Sequence, residues 1–413
     1  MNRIILHCDL NNFFATVECM LDRGLRDCPI AVCGNTEERK GIVLAKNMIA
    51  KSYGVSTGEA IFQAKNKCAD LRIVSPHYDK YVEISRRVRD IYAEYTNFVE
   101  PFGIDECWLD LTSASGGTYE GGMELAWRIK EEIKAKVGLT LSVGVSFNKI
   151  FAKLGSDLKK PDAVTRISKE EFREKIWGLP ASDMMGVGRK TAIKLNRRMI
   201  RTIGDLARCP SDLLESWFGK CGLIMWIYAN GLDESAVMNK DFQFPIKSVG
   251  HGMTTTEDMT DEQQVSDIFL ELSQMIGMKL RSSSLAACGT SIALRDNALA
   301  VKEYQCRLPY NTQSASVIAR SALELFHRSY DWHAPLRSVT VRAISLVPQG
   351  TPQQLNMFEN TERRLKCDSL DRALDSLREK YGIHSVTQAS YLKPDIKLVR
   401  GKPLSATPMQ MYV

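Results

Sequence analysis

The sequence predicts a multidomain α+β protein, and three observations carry that prediction. Short apolar runs alternate with longer amphipathic ones from the start of the chain to about residue 166. From 167 to 233 the pattern changes to short helical stretches broken by Gly and Pro. After a linker-like segment, 234–245, a second set of strand-like and helical runs fills 246–348 and reads as a small α+β domain. The chain has 413 residues, 44% hydrophobic and 25% charged, which suits a packed globular protein of several domains.

The elements follow in order. Arg3–Leu10, RIILHCDL, is a short buried strand that ends beside Asp9. Gly41–Val55 starts strand-like, turns helical and stops at Gly54. Tyr78–Glu100 is an amphipathic helix, with Tyr81, Ile84, Val88, Ile91 and Tyr95 recurring at three- and four-residue steps. FVEPFG and ECWLDLT read as two strands meeting at Ile104-Asp105. Glu120–Gly138 is a helix closed by its glycine, and Thr140–Phe147 is a strand. Asn148–Lys160 is a helix stopped by Pro161. Past the turn-rich PQGTPQQ, Ser369–Gly382 is one more helix, with Leu370, Leu374 and Leu377 on one face.

No apolar run is long enough to cross a bilayer, and MNRIILHCDLNN reaches an acid too soon for a secretory signal, so a cytoplasmic protein is expected. The eleven cysteines are scattered without a C-x-x-C, which argues for free thiols in a reducing compartment rather than a zinc site. The net charge of +6 is unevenly spread. Residues 141–210 hold 15 Lys and Arg against 7 Asp and Glu, whereas 234–348 hold 11 against 12. A basic stretch of that kind is either a polyanion-binding surface or a solvated helical face.

Chemistry concentrates in GIDECWLD, Gly103–Asp110. Asp105 and Glu106 open a buried strand, where ionised carboxylates are costly without a partner. Neighbours on a strand point to opposite faces, so the two share a ligand only if the alternation breaks; Pro101 and Gly103 make a bend there plausible. With Asp9 they form three carboxylates at the ends of two strands. That set suits Mg²⁺, and two such ions serve phosphoryl transfer; alternatively the pair sits exposed and needs no cation. Phe13 and Phe14 follow Asp9 closely. An aromatic face there would bar a sugar 2′-hydroxyl, or both rings belong to a core. In MGVGRKTAIKL, Gly186 and Gly188 precede a helix bearing Arg189, Lys190 and Lys194, a phosphate-binding turn or a plain one.

HCDLNNFFATVE, GIDECWLDLT, GVSFNKIFAKLGSDLKKP and MMGVGRKTAIKL together resemble, in order and spacing, the Y-family (translesion) DNA polymerases of the bacterial polymerase IV and V types. The resemblance covers about residues 1–350. It implies a right-hand polymerase: a palm from 1–10 and 76–166, fingers from 11–75, a helical thumb with a helix-hairpin-helix at 167–233, a linker at 234–245 and a little finger at 246–348. Asp9, Asp105 and Glu106 match the palm's catalytic carboxylates, and the Leu10 carbonyl matches a backbone ligand; the implied cofactor is two Mg²⁺ ions. Phe14 matches the steric gate that selects deoxynucleotides, and Phe13 the residue packed beside the nucleotide. Lys160 matches a triphosphate contact. The fingers depart from the pattern: Met48 and Lys51 replace the usual Tyr and Arg, so Lys51 is a phosphate contact without the bidentate fork, with Lys46 near enough to help. Gly103 stands where Ser is common. Gly186, Gly188, Arg189 and Lys190 match the thumb's grip on the DNA backbone. In the little finger a basic stripe must come from folding, through Arg295, Arg337 and Arg342.

QLNMF, Gln354–Phe358, is similar to the peptide by which bacterial polymerases dock on the sliding clamp, through Gln354, Leu355, Met357 and Phe358; a tail to 413 follows it. The expected protein is thus a monomeric, cytoplasmic, template-directed DNA polymerase of low fidelity, acting on primer-template DNA and deoxynucleoside triphosphates in translesion synthesis and repair. Two rivals stand beside it. A palm-type nucleotide cyclase would not need the basic 141–210 stretch, and a clamp-recruited DNA-binding scaffold would not need the carboxylates.

Overall fold

A computed structural model describes residues 2–35, 39, 41–353, 361–382 and 385–386. The clamp-peptide candidates Gln354, Leu355, Met357 and Phe358 lie outside the described residues. Among the described residues two compact units result, one built on residues 2–33 and 42–243, the other on the rest, with 244–353 and 361–382 as its bulk.

The first unit is organised around a five-stranded sheet. Its central strand, Ile5–Leu10, runs antiparallel to Glu106–Asp110 on one side and to Leu141–Ser146 on the other. Val99–Phe102 and Val164–Ile167 complete the edges. Alternation sorts the central strand in two. Leu6, Cys8 and Leu10 join Cys107, Leu109, Val143 and Val145 in a core roofed by the helices Tyr78–Tyr95 and Tyr119–Val137. His7 and Asp9 face the other way, with Glu106, Trp108 and Gly144.

That second face carries the helix Lys149–Leu158, capped by Asn148, whose side chain accepts from the Phe151 amide. The helix sits directly on Gly144: a Cβ there would lie 1.9 Å from the Ala152 carbonyl oxygen. Only a residue without a side chain permits this approach. The Tyr78–Glu100 helix of the sequence reading stops at Tyr95, because Thr96 turns extended and the chain re-enters the sheet at Val99.

A smaller three-stranded sheet, Val43–Lys46, Ile30–Cys33 and Arg72–Val74, stands in the 11–75 segment with its own core. Residues 172–229 fold as short helices around Phe172, Leu195, Ile203 and Leu214. The segment read as a linker is docked over its first part. Val237 is buried with Ile5, Trp108 and Ala152, and the Met238 amide donates to Glu100 at 2.9 Å. Val237 and the Glu100 carboxylate hold it there, a feature invisible in local composition.

The second unit pairs a four-stranded antiparallel sheet with the helices Glu262–Ser282 and Ala315–Ser329 on one face. Register places Arg295, Arg307 and Arg342 on the opposite face. The final helix runs Thr361–Tyr381, longer than the sequence reading, and its docking is ionic. Asp371 and Asp375 engage Arg281 at 3.5 and 2.5 Å, whereas Leu370 and Leu377 are exposed. All eleven cysteines are free. Among the described residues no helix is long and apolar enough to cross a membrane.

Candidate active site

Strand register brings the carboxylates together. Asp9 lies directly across from Glu106 on neighbouring antiparallel strands, on the same face. Asp105 is not on the strand at all. It ends the tight turn Gly103–Asp105, where Gly103 takes φ +85°, and its carbonyl accepts the Leu10 amide at 3.0 Å. The turn breaks the alternation that would otherwise point Asp105 and Glu106 apart.

Burial sets the electrostatics. The Asp9 carboxyl is pushed up to about 7 by burial, against the pull of Lys160 and with the push of Glu106 and Asp105. Asp105 is raised to about 6, by burial and then by Glu106. Glu106 is lowered to about 2: burial works against its charge, but His7 and Lys153 outweigh it. Lys160 donates to Asp9 at 2.6 Å and pairs with Asp157 at 2.7 Å, which raises its pKa despite burial. Lys153 donates to Glu106.

Among the described residues no three His, Cys, Asp or Glu side chains converge closely enough to make a ready metal cage. The donor set still fits a hard divalent cation. One buried and two half-buried carboxylates, with Asp9 and Asp105 raised by burial and then by the charge of Glu106, are the arrangement that such a cation relieves.

Around this centre the other sequence candidates separate. Leu10 is buried next to Asp9. Phe13 is 2% exposed and belongs to the core with Tyr81, so it backs its neighbour rather than offering a free face. Phe14 is half-buried and stacked on Tyr81, ring centroids 4.2 Å apart, with Tyr78 edge-on. Lys51 is exposed on the short helix Met48–Ser52, beside an exposed Met48. Lys46 donates to Thr57 at 3.0 Å; its pKa is lowered by burial and by the like charge of Lys51. Gly186 and Gly188 are exposed, a Cβ at either would touch nothing, and Arg189 and Lys190 begin the helix Arg189–Asn196 in solvent. These groups lie outside the carboxylate cluster.

Three residues at the centre were missed by sequence reasoning: His7, Lys153 and Ser156. Signals existed for each. His7 is two residues before Asp9 on a strand, hence on its face. Lys149, Lys153, Ser156 and Lys160 recur at helical steps.

Comparison with known proteins decides the family. The impB/mucB/samB family model matches residues 8–157, and the model of that family's C-terminal domain matches 246–357. A DNA polymerase IV of Acetivibrio thermocellus is 46% identical over 95% of this chain and 98% of its own. One of Clostridium acetobutylicum is 32% identical over 96% of this chain and 100% of its own. The chain belongs to the Y-family DNA polymerases. Its fold agrees: a Y-family polymerase chimera of Dbh and Dpo4 superposes with a TM-score of 0.75 at 24% identity, over 84% of this chain and 100% of that one. DinB from Sulfolobus solfataricus aligns at 0.55 with 24% identity over 83% of this chain and 98% of its own. As a member of this family the chain is a DNA-directed DNA polymerase.

Proposed function

We propose that this polymerase carries out low-fidelity translesion synthesis by phosphoryl transfer at Asp9, Asp105 and Glu106, on primer-template DNA and deoxynucleoside triphosphates. The observation that carries the reading is the strand register that sets Asp9 against Glu106, with Asp105 turned in beside them. These carboxylates and the Leu10 carbonyl would hold two Mg²⁺ ions, which supply charge stabilisation to the attacking and leaving oxygens when bound. The chain's own residues do the positioning. Lys160, only part-buried, can leave Asp9 for a phosphate, and Lys51 with Lys46 offers positive charge to the same triphosphate. The Phe14 ring, fixed by its stack on Tyr81, presents a rigid edge against a 2′-hydroxyl.

DNA is held without reading its sequence. The Gly186–Gly188 turn lets a phosphate approach the backbone, with Arg189 and Lys190 adding charge. Arg295, Arg307 and Arg342 supply a second basic face on the little-finger sheet, with Arg342 tempered by Glu303. The protein acts as a monomer in the bacterial cytoplasm and docks on the sliding clamp through Gln354–Phe358. The test is primer extension with Mg²⁺ and four deoxynucleotides, wild type against Glu106→Ala. Loss of extension in a folded, DNA-binding variant supports the reading; retained extension refutes it.

A further inference from the structure

His7 is fully buried and occupies the strand position two residues before Asp9, on the same face. A buried imidazole needs partners for both nitrogens, and this ring has them. Nε2 lies 3.1 Å from Glu106 Oε2, and Nδ1 lies 2.8 Å from Ser156 Oγ. The Trp108 ring meets it edge-on at 5.4 Å between centroids, fixing its plane.

The Nε2 hydrogen can be assigned from chemistry. Glu106 Oε2 also takes the Lys153 ammonium, so it is an acceptor and His7 donates to it through Nε2–H. Nδ1 faces the Ser156 hydroxyl, which holds the other side of the ring. That hydroxyl also lies 2.7 Å from the Lys153 carbonyl oxygen. Ser156 thus ties the ring to the helix Lys149–Leu158.

We infer that His7 is a positioning residue that orients Glu106 through Nε2–H, and that Ser156 positions His7 by holding its Nδ1. The inference rests on reading Glu106 as a metal-binding carboxylate. His7 and Lys153 both bond to Oε2, so the carboxylate is pinned from one side and Oε1 is left for a cation. Lys153 supplies charge from a flexible chain; His7 supplies direction from a rigid ring wedged between strand and helix.

The experiment compares wild type with His7→Leu, His7→Gln, Ser156→Ala and Glu106→Gln. Primer extension gives kcat and KM for the nucleotide; Mn²⁺ binding to the free protein is titrated by electron paramagnetic resonance; thermal melts check folding. His7→Leu is expected to lower kcat and Mn²⁺ affinity by about ten- to a hundredfold each, the scale of outer partners of metal ligands, with nucleotide KM little changed. His7→Gln keeps an N–H at the Nε2 position and is expected to restore most of both. Ser156→Ala is expected to fall between them, and it carries the test alone if His7→Leu does not fold. Folded His7→Leu and Ser156→Ala with wild-type kcat and Mn²⁺ affinity overturn the inference. So does a His7→Gln as impaired as His7→Leu, which makes the role one of packing. Full extension by Glu106→Gln would instead sink the assignment of the carboxylate itself.

Discussion

Gly144→Ala tests whether the helix Lys149–Leu158 is held where the proposed site needs it. The added Cβ would stand 1.9 Å from the Ala152 carbonyl oxygen and 2.5 Å from the Ser156 amide nitrogen. Ordinary contact needs about 3.4 Å or more, so the helix must withdraw by roughly 1.5 Å, or the strand must buckle. Both atoms are backbone, so no side-chain rotation relieves the clash. Overpacking on this scale costs about 1–3 kcal/mol. In a unit of this size that lowers the melting temperature by roughly 3–10 °C. Lys153 and Ser156 ride on the same helix, and a shift of about 1 Å in a catalytic constellation can cost on the order of a hundredfold in rate. The control is Gly155→Ala, where the nearest atom to a new Cβ is the Gly144 Cα at 3.2 Å, a contact that a few tenths of an ångström relieves. Melting curves and primer-extension kcat are measured on both. Gly144→Ala with wild-type melting and rate would refute the close packing of helix on strand, and with it the placement of Lys153 and Ser156.

Four other outcomes are expected. Phe14→Ala opens the space beside Tyr81 and should admit ribonucleotides, read as the ratio of ribo- to deoxynucleotide kcat/KM; an unchanged ratio removes the gate. Lys160→Met should raise nucleotide KM about tenfold or more, the loss of a charge-assisted phosphate contact, while leaving DNA binding by anisotropy intact. In metal-free buffer, stability should rise as pH falls from about 8 toward 5. Asp9 and Asp105 have raised folded values, about 7 and about 6, so their ionised forms cost stability above those values and the cost fades on protonation. Against Asp9→Asn, melting curves should isolate that slope, and Mg²⁺ should flatten it in the wild type. Leu355→Ala with Phe358→Ala should abolish stimulation by the sliding clamp and spare basal synthesis.

The central strand was legible because its apolar run is short, continuous and ends at a carboxylate. The carboxylate pair was legible as a site, and the Pro101 and Gly103 upstream hinted at the bend that the pair needs. Periodicity sets Asp105 and Glu106 on opposite faces, and only the left-handed Gly103 turn returns Asp105 to the cluster. Phe13 and Phe14 look equivalent in sequence; packing buries one with Tyr81 and leaves the other half-open on that ring. The tail shows the same limit. Its leucine stripe at Leu370 and Leu377 advertises an apolar face, but Arg281, more than eighty residues earlier, draws in Asp371 and Asp375 instead. Long-range partners of this kind leave no local signature.

The lysines of the helix Lys149–Leu158 and the turn after it divide by burial, and the division matches two different jobs. Lys149 pairs with Glu100 at 2.7 Å, with both side chains about nine-tenths covered, and it lies over the Trp108 ring. Glu100 also accepts the Met238 amide, so this pair fastens strand, helix and docked segment together. Removing one partner would strand a buried charge, at about 3–5 kcal/mol. Lys153 and Lys160 pair with Glu106 and Asp9 at 19% and 30% exposure, where water can reach them and the pairs can part at smaller cost. On the proposed function that is what the site requires. In the free protein these two cations offset part of the charge of three carboxylates that would otherwise repel one another. When divalent cations take the carboxylates, Lys160 must let go of Asp9 without unfolding anything, and it is then placed to meet a phosphate. Fixed and exchangeable counter-charges thus share one helix and the turn after it, and burial separates them.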